Sequence, residues 1–262
     1  FVSVDAGRID RARALGLLAP LKSDVLAAKV PAHLRDPEGH WFGFSTRARV
    51  IFYNKDKVKP SDLSTYEDLA DPKWKGRICV RSSDSVYNQS LVAGMIAHHG
   101  EAKAETWAKG LVANFARPPK GGDRDQIKAV AAGECDLTLA NTYYLGGMVN
   151  SQDEAEKQAA AKVAVFWPDA KTTGVHVNVS GAGVTAHARN RDNAVRLLEF
   201  LVSDSAQRWY AETNNEYPVN PAIPPSATLK AWGEFKADTL NVAKLGELNA
   251  AAVQVMDRAG WK

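Results

Sequence analysis

Three tyrosines occupy positions where their phenols could act together. Tyr87 lies in the first turn of a predicted helix that follows a buried strand, and Tyr143 and Tyr144 are adjacent residues after a second buried strand. In open α/β sheets, the loops beyond the carboxyl ends of the strands form the binding crevice. Adjacent side chains diverge in a regular strand, whereas they can converge at a turn or a helix entry. The pattern therefore predicts three phenols directed at one point.

Three converging phenols have the chemistry of a site for a hard trivalent cation. The pKa of a free phenol is about 10, so three ionised phenols at neutral pH need a strong positive charge, which Fe(III) supplies and three phenolates balance. Hard metals prefer oxygen ligands, whereas zinc favours imidazole and thiolate. Alternatively, Tyr143 and Tyr144 are rim aromatics that contact an organic ligand or a lobe interface. The local sequence leaves both interpretations open.

Composition excludes several other classes of protein. The 262 residues carry 33 Lys and Arg against 30 Asp and Glu, a balance too even to indicate binding to nucleic acid or to an anionic membrane. No apolar run approaches the roughly 18 residues of a membrane span. The motifs of serine hydrolases, zinc proteases and nucleotide-binding loops are absent from the sequence, so we expect a binding protein rather than an enzyme.

Short apolar runs alternate with helix-period segments along most of the chain. This alternation is typical of an α/β protein with mainly parallel sheets. Helices are predicted over residues 85–99 and 123–132, and Gly100 and Gly133 are placed to end them. Residues 1–5 read as a strand with no signal peptide before it, so we expect the N-terminal part of the first lobe to be missing.

Two long β segments are the best candidates for strands that cross between two lobes. They lie near residues 43–54 and 173–185. Two lobes joined by such hinge strands would enclose a cleft, where small ligands usually bind. The predicted first lobe comprises residues 1–45 and 175–222, and the second lobe, which carries the tyrosines, comprises residues 46–174 and 223–262.

A set of motifs occurs in order along essentially the whole chain. It consists of Val4-Asp5-Ala6-Gly7-Arg8, Trp41-Phe42-Gly43-Phe44-Ser45 through Arg49, Arg81-Ser82-Ser83, Gln89-Ser90-Leu91, Asn141-Thr142-Tyr143-Tyr144, His176-Val177-Asn178-Val179-Ser180-Gly181-Ala182-Gly183 and Asn215-Glu216-Tyr217-Pro218-Val219. Taken together, these motifs resemble the bacterial periplasmic ferric-ion-binding proteins, the soluble receptors of iron-uptake ABC transporters. The resemblance implies an α/β, two-lobed periplasmic-binding-protein fold of type II, with two hinge strands and a ligand cleft between the lobes.

The same resemblance implies a ligand set. Tyr87, Tyr143 and Tyr144 would bind Fe(III), and other members of the family take a His or Tyr ligand from a strand that would lie upstream of residue 1. Arg47 would hold a synergistic anion such as carbonate, with an interlobe salt bridge as its alternative role. Three further residues could donate to the anion or cap local turns, namely Ser82, Ser83 and Asn141.

The resemblance also implies a cellular setting and a partner. In an oxidising periplasm, Cys79 and Cys135 are candidates for a disulfide that would fix the two ligand loops relative to each other, with buried free thiols as the alternative. The partner would be an ABC transporter permease in the inner membrane, with the receptor a monomer that binds no nucleic acid. Two rival functions remain: a receptor for a small organic solute, and the effector-sensing domain of a transcription regulator.

Overall fold

The computed structural model describes residues 2–262, and the chain divides into two compact units. Unit 1 comprises the chain up to Arg47 with Val177–Ala231 and Thr239–Glu247, and unit 2 comprises Ala48–His176, Trp232–Asp238 and Leu248–Lys262. Within this part of the chain, no helix is both long and apolar enough to cross a membrane.

Short strands and helices alternate through both units. The strands are β1 (Val2–Asp5), β2 (Leu18–Ala19), β3 (Phe42–Asn54), β4 (Ile78–Cys79), β5 (Leu137–Asn141), β6 (Val163–Phe166), β7 (Val177–Thr185) and β8 (Tyr217–Pro218). The helices are α1 (Ala6–Ala14), α2 (Asp24–Lys29), α3 (Val86–His99), α4 (Glu101–Ala113), α5 (Asp123–Ala132), α6 (Thr142–Val149), α7 (Glu154–Ala161), α8 (Arg191–Leu201), α9 (Asp204–Asn214), α10 (Ala227–Lys230), α11 (Ala243–Glu247) and α12 (Asn249–Arg258).

Unit 1 is built around β7, which pairs antiparallel with both β1 and β2. The first part of β3 belongs to this unit and pairs antiparallel with β8. Helix α11 packs on α1 so closely that a Cβ atom on Gly246 would lie 2.5 Å from Cβ of Asp10, which only glycine avoids. Residues 223–262, which we expected entirely in the second lobe, are divided in the structure. Residues 223–231 and 239–247 belong to unit 1, and residues 232–238 and 248–262 belong to unit 2.

Unit 2 places the rest of β3 in a sheet with antiparallel neighbours β5 and β6, while β4 runs parallel to β5. The prediction of mainly parallel sheets was wrong, because β3 pairs antiparallel with both β5 and β6 in this unit and the strand pairs of unit 1 are antiparallel as well. The predicted helices are confirmed as α3 and α5, and they end at Gly100 and Gly133, with φ angles of 82° and 79°. Helix α12 packs on α3 and so belongs to this unit.

The two cysteines lie beside neighbouring strands of unit 2. Cys79 ends β4, and Cys135 lies just before β5. They form a disulfide with a Cα–Cα distance of 5.8 Å that closes a loop across 56 positions of sequence. This loop includes α3, α4 and α5, so the disulfide connects the two strands from which the tyrosine-bearing segments emerge.

Replacing both cysteines by alanine should lower the free energy of unfolding by about 2–4 kcal/mol, because the open loop gains conformational entropy in the unfolded state. Urea denaturation followed by circular dichroism measures the change. The unmodified protein in reductant should show the same loss, and the double variant should not respond to reductant. Equal stability of the two proteins under oxidising conditions would contradict the prediction.

Candidate metal centre

The three tyrosines lie at the first turns of two helices of unit 2. Tyr87 is the second residue of α3, and Tyr143 and Tyr144 are the second and third residues of α6. The hydroxyl of Tyr143 donates a hydrogen bond of 3.1 Å to the hydroxyl of Tyr87. The rings of Tyr143 and Tyr144 are tilted by 33° with their centroids 4.4 Å apart. The structure thus brings the three phenols together, and a helix entry allows the two adjacent rings to lie side by side.

The surroundings of these phenols oppose ionisation. Burial is the main cause that raises the pKa of Tyr143 far above the ordinary value, and the neighbouring Tyr87 phenol raises it further. Burial also raises the pKa of Tyr144, and its hydrogen bond with Tyr143 partly offsets this effect. At neutral pH these two phenols therefore carry their protons until a strong positive charge is placed among them.

Two guanidinium groups and one carboxylate lie next to the tyrosines. The Cζ atoms of Arg49 and Arg81 lie 6.0 Å and 5.5 Å from the centroid of the Tyr87 ring. Asp123 forms ion pairs with both, at 3.0 Å to Arg49 Nη1 and 3.5 Å to Arg81 Nη1. The three charged groups leave one net positive charge beside the phenols.

The residues predicted to hold an anion lie in different surroundings. Ser82 and Ser83 are half-buried in the loop before α3, where their main-chain carbonyls accept hydrogen bonds from side chains of that helix. Asn141 is buried before α6, and its Oδ1 accepts from Nη1 of Arg49 at 3.0 Å. Arg47 belongs to unit 1, where its Nη1 donates to Ser180 Oγ.

The sequence reasoning missed three residues that form hydrogen bonds around the tyrosine-bearing segments, namely Arg49, Asp123 and Asn88. Arg49 shares one face of β3 with Arg47 because side chains alternate along a strand. A charged residue between Ala48 and Val50, in a run that otherwise suggests a buried strand, requires a buried partner. This signal was present, although nothing local identifies the partner as Asp123, which lies 74 positions away.

A second group of possible metal ligands lies in unit 1. Asp36, Glu38 and His40 offer ligand atoms within 4.8 Å of one another. Arg13 Nε lies 3.8 Å from Asp36 Oδ1, and Arg13 Nη1 lies 3.9 Å from Glu38 Oε2. His40 Nδ1 is hydrogen-bonded to Asp36 Oδ2. The carboxylates thus have cationic and imidazole partners, so the tyrosine cluster is the stronger candidate for a hard cation.

Known proteins are similar to this chain over most of its length. Residues 1–237 match the family described as bacterial extracellular solute-binding protein. The chain is 53% identical over 261 residues to iron uptake protein A1 of Synechocystis sp., which covers 100% of this chain and 72% of that protein. It is 28% identical over 247 residues to the Fe(3+)-binding periplasmic protein of Serratia marcescens, covering 93% of this chain and 70% of that protein.

Solved structures of iron-binding proteins also match nearly the whole chain. A Trichodesmium protein, FutA (IdiA), in complex with iron and citrate ligands matches with a TM-score of 0.97 and 55% identity, covering 99% of this chain and 82% of that chain. The ferric binding protein from Campylobacter jejuni matches with a TM-score of 0.94 and 38% identity, covering 98% of this chain and 82% of that chain. The predicted α/β periplasmic-binding-protein fold is thereby confirmed.

These relatives carry names that describe iron uptake or ferric-iron binding, and none of those names denotes an enzyme. The resemblance to ferric-ion-binding receptors that the sequence motifs indicated is confirmed. The chain belongs to the bacterial extracellular solute-binding protein family.

Proposed function

We propose that this protein is a receptor that binds Fe(III) through the phenolates of Tyr87, Tyr143 and Tyr144. The observation that carries the proposal is the contact among three half-buried phenols at two helix entries. Phenolate oxygens are hard ligands, and three of them balance the charge of a ferric ion. The relatives named for iron uptake and ferric-iron binding support the same cargo.

Iron capture in this site is an exchange of protons for a metal ion. Because burial keeps Tyr143 and Tyr144 protonated, the energy of iron binding must include the removal of their protons. A trivalent ion supplies enough positive charge to make that exchange favourable, whereas a weakly charged organic solute does not. A fall in pH returns protons to the phenols and favours release.

A synergistic anion fits the charge that remains. With iron neutralised by three phenolates, Arg49, Arg81 and Asp123 still leave one net positive charge beside the site. The anion that we propose is carbonate or a carboxylate such as the citrate found with the Trichodesmium relative. Ser82 and Ser83 follow Arg81 directly and are the proposed hydrogen-bond donors to the anion. Asn141 is proposed to affect the anion through its hydrogen bond with Arg49. The role of Arg47 as an anion ligand stays a prediction.

The proposed setting follows from the family. Extracellular solute-binding proteins hand their cargo to a transporter, so the proposed partner is an ABC permease in the inner membrane. The periplasm is the proposed compartment, and the disulfide between Cys79 and Cys135 agrees with an oxidising environment. The proposed role is transport without catalysis, by a monomer.

Loading the purified protein with ferric citrate should produce a visible absorption band, because phenolate ligands transfer charge to Fe(III). Tyr143→Phe should bleach most of this band and weaken iron binding by more than about 100-fold. The loss should exceed this value because removing a residue that only supports a metal ligand weakens metal binding by up to about 100-fold. Tyr53→Phe is the matched control, since Tyr53 is a buried phenol on β3 of the same unit. Absence of a band in the unmodified protein, with a thermal shift only on addition of an organic solute, would reject the iron receptor.

Iron binding should release protons from the phenols, including those that burial keeps on Tyr143 and Tyr144, because a phenol must ionise to become a ligand. Tyr143→Phe should release about one proton fewer from the same iron donor, and Tyr53→Phe should match the unmodified protein. Titration in a weakly buffered solution at pH 7, with the proton uptake of the donor complex subtracted, measures the difference. Equal release by Tyr143→Phe and the unmodified protein would show that the Tyr143 phenol is not a ligand.

A further inference from the structure

We propose that Arg49 is a positioning residue for the iron site, since its guanidinium holds the two tyrosine-bearing segments in fixed relation. This inference rests on the proposed function, because it assigns Arg49 a part in that site. Arg49 lies on β3 and is distant in sequence from all three tyrosines. Its Cζ lies 6.0 Å from the centroid of the Tyr87 ring, and its hydrogen bonds to neighbours of the tyrosines are the route by which it would position them.

The guanidinium of Arg49 makes four hydrogen bonds. Nη1 donates to Asp123 Oδ2 and to Asn141 Oδ1, both at 3.0 Å. Nη2 donates to Asn88 Oδ1 at 2.6 Å and to the main-chain oxygen of Leu139 at 3.1 Å. A planar guanidinium presents these donors in a rigid fork, so the directions of the acceptors are fixed as well as their distances.

One of these bonds, from Nη2 to Asn88, fixes the segment that carries Tyr87. Asn88 follows Tyr87 directly in α3 and is fully buried. While its Oδ1 accepts from Arg49, its Nδ2 donates to the main-chain oxygens of Arg81 and Ser82, each at 3.0 Å. Asn88 thereby connects the guanidinium to the loop that leads into α3, and it has no freedom to turn.

The other bonds fix the segment that carries Tyr143 and Tyr144. Asn141 lies immediately before α6, and its main-chain N–H donates to Asp123 Oδ2 at 2.9 Å. The same carboxylate oxygen accepts from Arg49, so Asp123 and Arg49 hold the entry of α6 between them. Both tyrosine-bearing segments therefore attach to one side chain.

The main chain of Arg49 is itself fixed within unit 2. Its N–H donates to the main-chain oxygen of His176 at 3.0 Å, and its oxygen accepts from the hydroxyl of Tyr66. Burial raises the pKa of Tyr66 far above the ordinary value, so this phenol remains a donor. A guanidinium on an anchored backbone serves as a reference point for both helix entries.

Burial of the ion pair separates positioning from general stability. The side chains of Arg49 and Asp123 are only 2% and 0% exposed. Removing two charges from water costs about as much as their attraction returns, so a buried ion pair contributes little net stability compared with an apolar pair of similar shape. The network is better explained by the geometry that it imposes than by the stability that it supplies.

Two variants test this role against a matched control. Arg49→Lys keeps the positive charge near Tyr87 but replaces the planar fork, which makes four hydrogen bonds, by an ammonium with three N–H donors. Asn88→Ala keeps Arg49 but releases the loop before α3. Asn54→Ala is the control, because Asn54 is a buried amide on the same strand whose Nδ2 donates to the Val130 oxygen of α5. Iron affinity is measured by competition with a chelator, stability by urea denaturation, and ligand geometry by the wavelength of the visible band.

Both test variants should bind iron about 10–100-fold more weakly, with a shifted band, while Asn54→Ala loses stability but keeps the affinity and band of the unmodified protein. If Arg49→Lys does not fold, Asn88→Ala decides. Folded variants with unchanged affinity and band overturn the proposal, as does an equal loss of affinity in Asn54→Ala.

A failure of the proposed function gives a different result. If the unmodified protein binds no iron, the positioning role is decided by crystal structures of the iron-free protein and of Asn88→Ala. The distance between the Tyr87 and Tyr143 hydroxyl oxygens is 3.1 Å in the unmodified protein. A clear increase in Asn88→Ala supports positioning by the network, and an unchanged distance overturns it.

Discussion

A phenol inside a protein gives up its proton at neutral pH only when a strong positive charge lies next to it. Here burial opposes ionisation of Tyr143 and Tyr144, and Tyr143 donates a hydrogen bond to Tyr87. A trivalent ion must replace such bonds and several protons at once, so the oxygens must already lie near their final positions. The other features of unit 2 around the site follow from this requirement for preorganisation.

The fold meets the requirement by placing each tyrosine where its backbone is most constrained. All three lie in first turns of helices whose preceding residues are fixed by buried side chains, Asn88 on one side and Asp123 on the other. The disulfide between Cys79 and Cys135 connects the neighbouring strands β4 and β5, from which the two segments emerge. A covalent bond thus limits the relative movement of the strands, and the hydrogen bonds of Arg49 set the finer geometry.

Local features of the fold could be predicted from the sequence, and features that depend on distant partners could not. Gly100 and Gly133 end their helices because each position requires a positive φ, a property that a single residue reveals. The direction of strand pairing depends on which segments meet, so the antiparallel partners of β3 were missed. For the same reason, the contact of α11 with α1 could not be inferred from residues 239–247 alone. The site shows the same limit, since sequence reasoning favoured Arg47 on β3, whereas the structure connects Arg49 on that strand to the tyrosine-bearing segments.

The guanidinium of Arg49 directs its Nη donors toward the tyrosine-bearing segments rather than distributing bonds over all its nitrogens. Among residues 2–262, no hydrogen bond is made by the buried Nε of Arg49 or by Oδ1 of Asp123, although the latter lies 3.5 Å from Arg81 Nη1. An unsatisfied buried polar atom costs about 1–3 kcal/mol, so a hydrogen bond from Nε to the protein would add stability. A network that must hold Asn88 and Asn141 in fixed directions has no such freedom, because the fork that reaches both side chains determines where Nε points. Arg81 then supplies long-range attraction to the remaining carboxylate oxygen and positive charge beside Tyr87. The direction of Nε is thus a consequence of positioning two chain segments from a single side chain.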